Sequence, residues 1–478
     1  MGLFDNFRFE PLPAKWAVEA EAWQDRYFPE FSEVQDEKRW SRHYPGLPVT
    51  RLSSIMATPE GFAPYASKAL ASEPRTTDLS WRVWKAADLH DDEFQTALKI
   101  IRAQASTELG SIQQHRMVYE KLDKSNVTGL DHELIEGMHR ASDNGGADLE
   151  SISFSKKRVC VEELRHHYQM SAVLTLDPTW DEKRRWGHRW ATETMEELFA
   201  MKPGEHVLDA FNIEFQSLLD SATFLALIDR VGKFQLEMQH HFYYGPMALS
   251  MPYMRWLEES YHLAAGEKLL RAIGAASALN VANFGVEDMQ KRINMWYPRG
   301  MEMFGSELGG MQVKGKFKTL TNREAQAIYE REVAGKIRDI NLSIVAARAR
   351  CTKDQAEPLV DRILSGETVH GLTTADLVYQ PDRRFFRIRG LTEYGDFQLP
   401  GRLGQGVGFV YLPYDVHGTL LTENGKADGK PIAKEDYVEY LRTVLPPEYM
   451  TSRHWDFVKR DFLFNPTWGD PVRVTGSW

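Results

Sequence analysis

The spacing of apolar residues predicts a chain that is helical through most of its middle. From about residue 91 to 122, apolar positions recur every three to four residues, which is the period of an α-helix with one face against a core. The same period predicts helices at about 155–174, 180–201, 208–243, 254–275, 286–297, 321–350 and 353–365. The sequence GPMALSMPY at 245–253 is expected to break the helical run before the helix predicted at 254–275.

The helical period is absent at both ends of the chain and at one place inside it. Residues 1–85 are rich in proline, serine and aromatic residues and predict an irregular N-terminal wrap. Residues 123–152 carry turn-forming sequences around a short helical piece, which indicates an insertion. We therefore expect a helical bundle at 86–300, additional helices at 301–370, and a segment of loops and short strands at 371–478.

Composition narrows the possible partners. The chain is 42% hydrophobic and 26% charged, as in ordinary globular proteins, and its net charge of −10 argues against binding nucleic acid or an anionic membrane. No apolar run reaches the length of a membrane span, and the N-terminus lacks the layout of a signal peptide. The two cysteines, Cys160 and Cys351, are too few and too far apart for a disulfide framework. We expect a cytoplasmic protein.

Two stretches place a glutamate three residues before a histidine. They are EELRH, with Glu163 and His166, and EESYH, with Glu259 and His262. Residues three apart lie on one face of a helix, so each stretch can direct a carboxylate and an imidazole at the same point. Two such pairs, with one more carboxylate from each of two further helices, form the ligand set of a dinuclear iron or manganese site in a four-helix bundle.

Chance alone also produces such pairs, because the chain has 68 carboxylate residues and 15 histidines. Glu136 with His139 and Glu237 with His240 have the same spacing. The former pair lies in the turn-rich insertion, which is a poor place for a rigid site, and we expect it at the surface. The latter shares its predicted helix with another candidate, so His240 is expected to pack in the core or to support the ligands.

The two single carboxylates are predicted from spacing. Asp229 lies 30 residues before Glu259, which suits two facing helices and their turn, and it directly follows the apolar run FLALI. A carboxylate in such a place is costly unless it is paired or bound to a metal. For the other pair, Glu133 lies 30 residues before Glu163 but in the insertion, whereas Glu108 lies 55 residues before it and inward on the first striped helix. Because residues 123–152 are interpreted as an insertion between the two helices, placement on the helix favours Glu108 and leaves Glu133 as the alternative.

Neighbouring residues suggest how the site is supported. A metal-binding histidine usually donates its second ring N–H to a carboxylate. Glu162 and Glu258, each directly before a predicted ligand, are candidates for that role, and Arg165 could neutralise one of them. The alternative for all three is a solvated helix face. The tyrosines and methionines between 243 and 254 are expected to pack in the core, with an apolar substrate channel as the alternative. No constellation of a serine or cysteine nucleophile stands out, so no catalytic residue is predicted beyond the metal ligands.

At these motifs the chain resembles the ferritin-like di-iron oxygenases. The string EELRH resembles their Asp/Glu-Glu-x-Arg-His signature. More narrowly, three segments together resemble the oxygenase components of benzoyl-CoA 2,3-epoxidases: Glu108 with QQHR at 113–116, DRVGKFQL at 229–236, and Glu258-Glu259 with His262. The likeness covers roughly residues 95–270. It implies an all-α, ferritin-like four-helix-bundle core whose two irons are bound by Glu108, Glu163, His166, Asp229, Glu259 and His262.

The resemblance also implies a reaction. Such an enzyme inserts one atom of O2 into the aromatic ring of benzoyl-CoA, or of a related aryl-CoA thioester, to give an epoxide. Two electrons must come from a separate NADPH-dependent reductase, because the chain carries no flavin, nicotinamide or iron–sulfur motif. The alternatives are a di-iron oxygenase with another substrate, such as an arylamine N-oxygenase or an acyl-CoA hydroxylase, and a ferritin-like protein that binds metal without catalysis.

Overall fold

The fold was analysed in a computed structural model of the 478-residue chain. The structure describes residues 80–123, most of 131–138, 149–175, 177–182, 187–200, most of 206–279, 284–305, 314–381, 386–388 and 409–411, and position 446. The N-terminal wrap therefore lies outside the described residues apart from 80–85, as does most of the C-terminal segment. Within the described part, helices dominate and the strands are two antiparallel pieces of three residues, β1 (Phe386–Ile388) and β2 (Phe409–Tyr411). This confirms the predicted all-α class.

Eleven α-helices are assigned in the described residues. In chain order they are α1 (Asp91–Asp123), α2 (Leu149–Thr175), α3 (Thr179–Glu182), α4 (Trp190–Ala200), α5 (Leu218–Leu227), α6 (Asp229–Gln239), α7 (Gly245–Tyr253), α8 (Ser260–Ser277), α9 (Val286–Met303), α10 (Asn322–Ala349) and α11 (Lys353–Leu364). A π-helical segment, Met254–Glu259, joins α7 to α8. Short 3₁₀ turns occur at Ala86–Asp88, Asp209–Asn212 and Thr374–Asp376.

The first predicted helix, 91–122, and several of the later ones agree closely with the observed bounds, and four predictions need correction. The helix expected at 180–201 is two helices, α3 and α4. The helix expected at 208–243 is also two, because the chain turns at Ile228 between α5 and α6. The expected break at 245–253 is itself helical, since Pro246 lies in the first turn of α7, where a missing N–H costs nothing. In addition, α2 begins at Leu149, six residues before the expected start.

Two groups of packed helices enclose the core. In one, α1 packs along α2; in the other, α8 packs between α5 and α10. Gly266 marks the closest approach in the second group, because a Cβ at this position would lie 2.4 Å from the Leu225 Cβ. Replacing it with any larger residue would force α5 and α8 apart. The π-helical segment contacts three helices, α2, α6 and α8, and so brings them close to one another.

The methionine and tyrosine cluster near 243–254 lies in this core. Tyr244, Met247, Met251 and Met254 are fully buried and pack among apolar residues of α1 and α2. This supports the expected packing role. Among the described helices, none is both long enough and apolar enough to cross a membrane.

A buried histidine ties the chain after α4 to α1. His206 accepts a hydrogen bond at Nδ1 from the Leu208 N–H (2.9 Å), and its Nε2 lies 3.0 Å from the Ser106 Oγ, which itself donates to the Ala103 carbonyl. The ring is therefore neutral with its proton on Nε2. Burial lowers the pKa of His206 to about 4.

We expect His206 to make the fold sensitive to mild acid. Because its pKa is lower in the folded chain than the ordinary 6.5, its contribution is complete above pH 6.5 and is lost as pH falls towards 4. Between pH 7 and pH 5 the free energy of unfolding of His206→Gln should therefore gain about 2 kcal/mol relative to wild type. Urea unfolding at the two pH values measures this, with the exposed His90→Gln as control. An equal pH dependence in wild type and His206→Gln would contradict the assignment.

Candidate metal centre

Five helical elements bring the six predicted ligands into one buried cluster. The residues are Glu108 on α1, Glu163 and His166 on α2, Asp229 on α6, Glu259 at the end of the π-helical segment, and His262 on α8. Each is at most 8% exposed. The long helix α1 reaches Glu108 after five turns, and the insertion at 123–152 separates α1 from α2 without separating their ligands.

The first group of side chains that can hold a metal ion consists of Glu108, Glu163 and His166. The Nδ1 atom of His166 lies 3.5 Å from the Glu108 Oε2 and 3.6 Å from the Glu163 Oε2. One ligand atom from each residue lies within 4.8 Å of the other two. A carboxylate pair and an imidazole nitrogen directed at one point are suitable donors for iron or manganese.

The second group consists of Glu163, Asp229 and His262. The Nδ1 atom of His262 lies 3.3 Å from the Glu163 Oε1 and 3.8 Å from the Asp229 Oδ2. Glu259 stands next to this group, with its Oε2 3.9 Å from the same nitrogen. Asp229 is the first residue of α6, where the helix dipole favours a negative charge.

Glu163 belongs to both groups. Its Oε2 faces His166 and its Oε1 faces His262, while the two imidazole ring centroids lie 6.1 Å apart. The two oxygens of one carboxylate can therefore serve two metal positions. The arrangement is nearly symmetric, since each position has one histidine, one shared carboxylate and at least one carboxylate of its own.

Each ligand histidine contacts a glutamate from the other Glu-x-x-His stretch, namely the glutamate directly before that stretch's own ligand glutamate. The Nε2 of His166 lies 2.6 Å from the Glu258 Oε2, and the Nε2 of His262 lies 2.7 Å from the Glu162 Oε2. A proton on Nε2, donated to the glutamate, leaves the Nδ1 lone pair free to bind a metal. Glu162 and Glu258 thus have the role that the sequence suggested, with their partners crossed between α2 and α8.

The cation next to Glu162 is Arg158. Its Nε lies 2.6 Å from the Glu162 Oε1, and its guanidinium lies 3.3 Å above the centre of the Tyr261 ring. Arg158 and Glu162 are both buried. Arg165, the predicted partner, has a side chain outside the described residues. A glutamate four residues after an arginine on one helix is a signal that the sequence reasoning overlooked.

Glutamine side chains extend the polar cluster beyond Glu108. The Gln104 amide donates to the Glu108 Oε1, and the Gln239 amide lies 3.5 Å from the Gln104 Oε1. Both glutamines are buried. The hydrogen bond from Gln104 fixes one oxygen of Glu108, so that the other is directed at His166. Sequence reasoning missed both glutamines because an isolated amide has no diagnostic spacing.

Burial of so many acids changes their protonation. Burial, together with the charge of Glu108, raises the pKa of Glu163 well above its usual range. Burial and the charge of Asp229 do the same to the pKa of Glu259. Burial would lower the pKa of His166, but its contacts with Glu108, Glu163 and Glu258 raise it well above the ordinary value. These shifts favour protonated groups in the metal-free cluster, and bound cations would take the place of those protons.

The donor set suits two divalent metal ions. The four ligand carboxylates supply four negative charges, which two divalent cations neutralise. The Glu259 Oε1 is buried and has no hydrogen-bond partner among the described residues. A buried carboxylate oxygen without a partner is costly, and coordination of a cation removes that cost. The residues present thus match a dinuclear metal site.

The remaining histidine candidates take other roles. Glu237 pairs with Arg255, whose Nε lies 2.8 Å from its Oε1, and the His240 Nδ1 contacts the Leu236 carbonyl at 2.9 Å. Neither Glu237 nor His240 belongs to a group of described side chains that can hold a metal. The side chains of Glu133, Glu136 and His139 lie outside the described residues. The choice between Glu108 and Glu133 therefore depends on the contacts of Glu108 with His166.

Comparison with known proteins adds no assignment. Neither a family model nor a curated protein sequence matches the chain.

Proposed function

We propose that this protein is a ferritin-like di-iron monooxygenase. The observation that carries the proposal is the sharing of Glu163 between two buried carboxylate–histidine groups. Two metals that share a carboxylate, each with one imidazole, are typical of the carboxylate-bridged centres of four-helix bundles. When bound, two ferrous ions supply the electrons that reduce dioxygen, and this is the chemistry that the carboxylate-rich donor set suits.

The particular reaction that we propose is epoxidation of the ring of benzoyl-CoA or a related aryl-CoA thioester. Its support is the combined likeness of the segments around Glu108, of DRVGKFQL at 229–236, and of the stretch at Glu259. In balanced form, the aromatic ring, O2, two electrons and two protons give the epoxide and one water. The electrons come from NADPH through a separate reductase.

The residues of this chain prepare the site for that chemistry. Glu162 and Glu258 hold His262 and His166 in the tautomer whose Nδ1 faces the cluster. Gln104 orients Glu108. Both histidines are buried, which limits the contact of their ring nitrogens with bulk water. The side chains thus orient donors and limit contact with solvent.

Oxygen uptake tests the proposal. Iron-loaded protein with NADPH and a benzoyl-CoA epoxidase reductase should consume O2 only when benzoyl-CoA is present. One atom from ¹⁸O2 should appear in the product. Uptake that does not depend on the thioester would contradict the epoxidase assignment. Formation of an N-oxide from an arylamine, without reaction of benzoyl-CoA, would favour an N-oxygenase of the same fold. Iron binding without any substrate-dependent O2 uptake would favour a non-catalytic metal-binding protein.

A further inference from the structure

Gly232 lies on α6 one turn after Asp229, and it faces the metal centre. A Cβ built at this position would lie 3.2 Å from the Glu259 Oε1, 3.5 Å from its Cδ and 3.7 Å from its Oε2. Residues three apart share a helix face, so Asp229 and Gly232 present the same side of α6 to the second metal position. All three nearest atoms belong to the carboxylate of one predicted ligand.

The backbone does not require glycine at position 232. Gly232 lies within α6 and is not among the residues with positive φ, so an L-residue can adopt its conformation. Glycine inside a helix is less stable than alanine by about 1 kcal/mol. The lack of a side chain must therefore serve packing. The three atoms nearest to a Cβ built at position 232 all belong to the Glu259 carboxylate.

The Glu259 carboxylate has little to fix its position among the described residues. Its Oε1, the atom nearest to Gly232, is buried without a hydrogen-bond partner in the described part of the chain. Its Oε2 lies 3.9 Å from the His262 Nδ1, which is farther than the corresponding atoms of Glu163 and Asp229. Glu259 is also the last residue of the π-helical segment, and such segments are frequent at functional sites.

We propose that Gly232 is a positioning residue for the second metal position, where its missing side chain gives the Glu259 carboxylate the space it needs to bind the metal. This inference depends on the proposed two-metal function. A methyl group at 232 would displace Glu259 by a few tenths of an ångström or more, because contacts of 3.2 Å are too short for carbon and oxygen without adjustment. The displacement acts on the second metal and leaves Glu108 and His166 in place.

The test is the pair of variants Gly232→Ala and Gly335→Ala. Gly335 also lies within a helix, α10, and a Cβ there would meet nothing within 4 Å. Anaerobic calorimetric titration of metal-free protein with Fe²⁺ or Co²⁺ should show that Gly232→Ala weakens binding of the second equivalent by about tenfold or more. Binding of the first should change little. Gly335→Ala should bind both equivalents as wild type does.

Two further measurements separate positioning from a general packing defect. Metal-free Gly232→Ala should unfold at the same urea concentration as wild type or a higher one, since alanine favours the helix. In a Glu259→Asp background, whose shorter side chain leaves more room beside position 232, the Gly232→Ala change should have a much smaller effect on the second equivalent. The visible spectrum of the Co²⁺-loaded protein should change in Gly232→Ala and remain unchanged in Gly335→Ala.

Clear outcomes would overturn the inference. Unchanged affinity of Gly232→Ala for both equivalents, in a wild-type protein that binds two metals, would refute the role of Gly232 and leave the proposed function intact. An equal loss in the wild-type and Glu259→Asp backgrounds would also refute it. A wild-type protein that binds no metal would refute both proposals together.

Discussion

Glu163→Gln is expected to abolish binding at both metal positions while the protein remains folded. Glu163 is the residue that belongs to both groups, and glutamine keeps its shape but removes the negative charge and one carboxylate oxygen. Metal content should fall from about two ions per chain to a small fraction of one. Elemental analysis after loading with Fe²⁺ and gel filtration measures this, and the exposed Glu287→Gln on α9 is the control.

The fold should tolerate this change because of the protonation of the metal-free cluster. Burial and the neighbouring charge of Glu108 raise the pKa of Glu163, which favours the neutral form of its carboxyl group when no metal is bound. A neutral amide is a close substitute for that form. The free energy of unfolding of the metal-free protein should therefore change little. Retention of both metals by folded Glu163→Gln would show that the shared carboxylate is not a ligand.

Arg158→Met is expected to cause the largest loss of stability among single changes near the site. Arg158 lies 2.6 Å from Glu162, and both are buried, so its removal takes the neighbouring cation away from a carboxylate in the core. Breaking a buried ion pair in this way costs about 3 kcal/mol or more. The change also removes the contact of the guanidinium with Tyr261. Urea unfolding of the metal-free variant measures the loss.

A double variant identifies the cause. If the buried charge of Glu162 is responsible, Arg158→Met/Glu162→Gln should recover a large part of the stability that Arg158→Met loses. The exposed Arg338, which pairs with Asp361 on the surface, provides the matched control, and Arg338→Met should have a much smaller effect. No recovery in the double variant would mean that Arg158 acts through packing alone.

The sequence predicted those ligand residues whose relative positions depend on a single helix face. Period and spacing placed Glu163 with His166, and Glu259 with His262, because residues three apart on a helix are fixed relative to each other. Asp229 was found through its cost after an apolar run, which depends only on local sequence. Glu108 needed a choice between two carboxylates, and its contact with His166 supports that choice.

Features that depend on the packing of separate helices could not be predicted in this way. The crossing of Glu162 to His262 and of Glu258 to His166 depends on how α2 faces α8, which no spacing encodes. The break at Ile228 was missed because the apolar stripe continues through it. The role of Gly232 arises from a distance across two helices. Helix periodicity therefore predicts which residues form the site, and packing determines how they support one another.

The central claim, a dinuclear site that shares Glu163, is tested most directly by anaerobic titration of metal-free wild-type protein with Fe²⁺. Elemental analysis should give about two irons per chain, and Mössbauer spectra after exposure to oxygen should show a coupled diferric pair. Binding of a single uncoupled iron, or of none by folded protein, would contradict the claim.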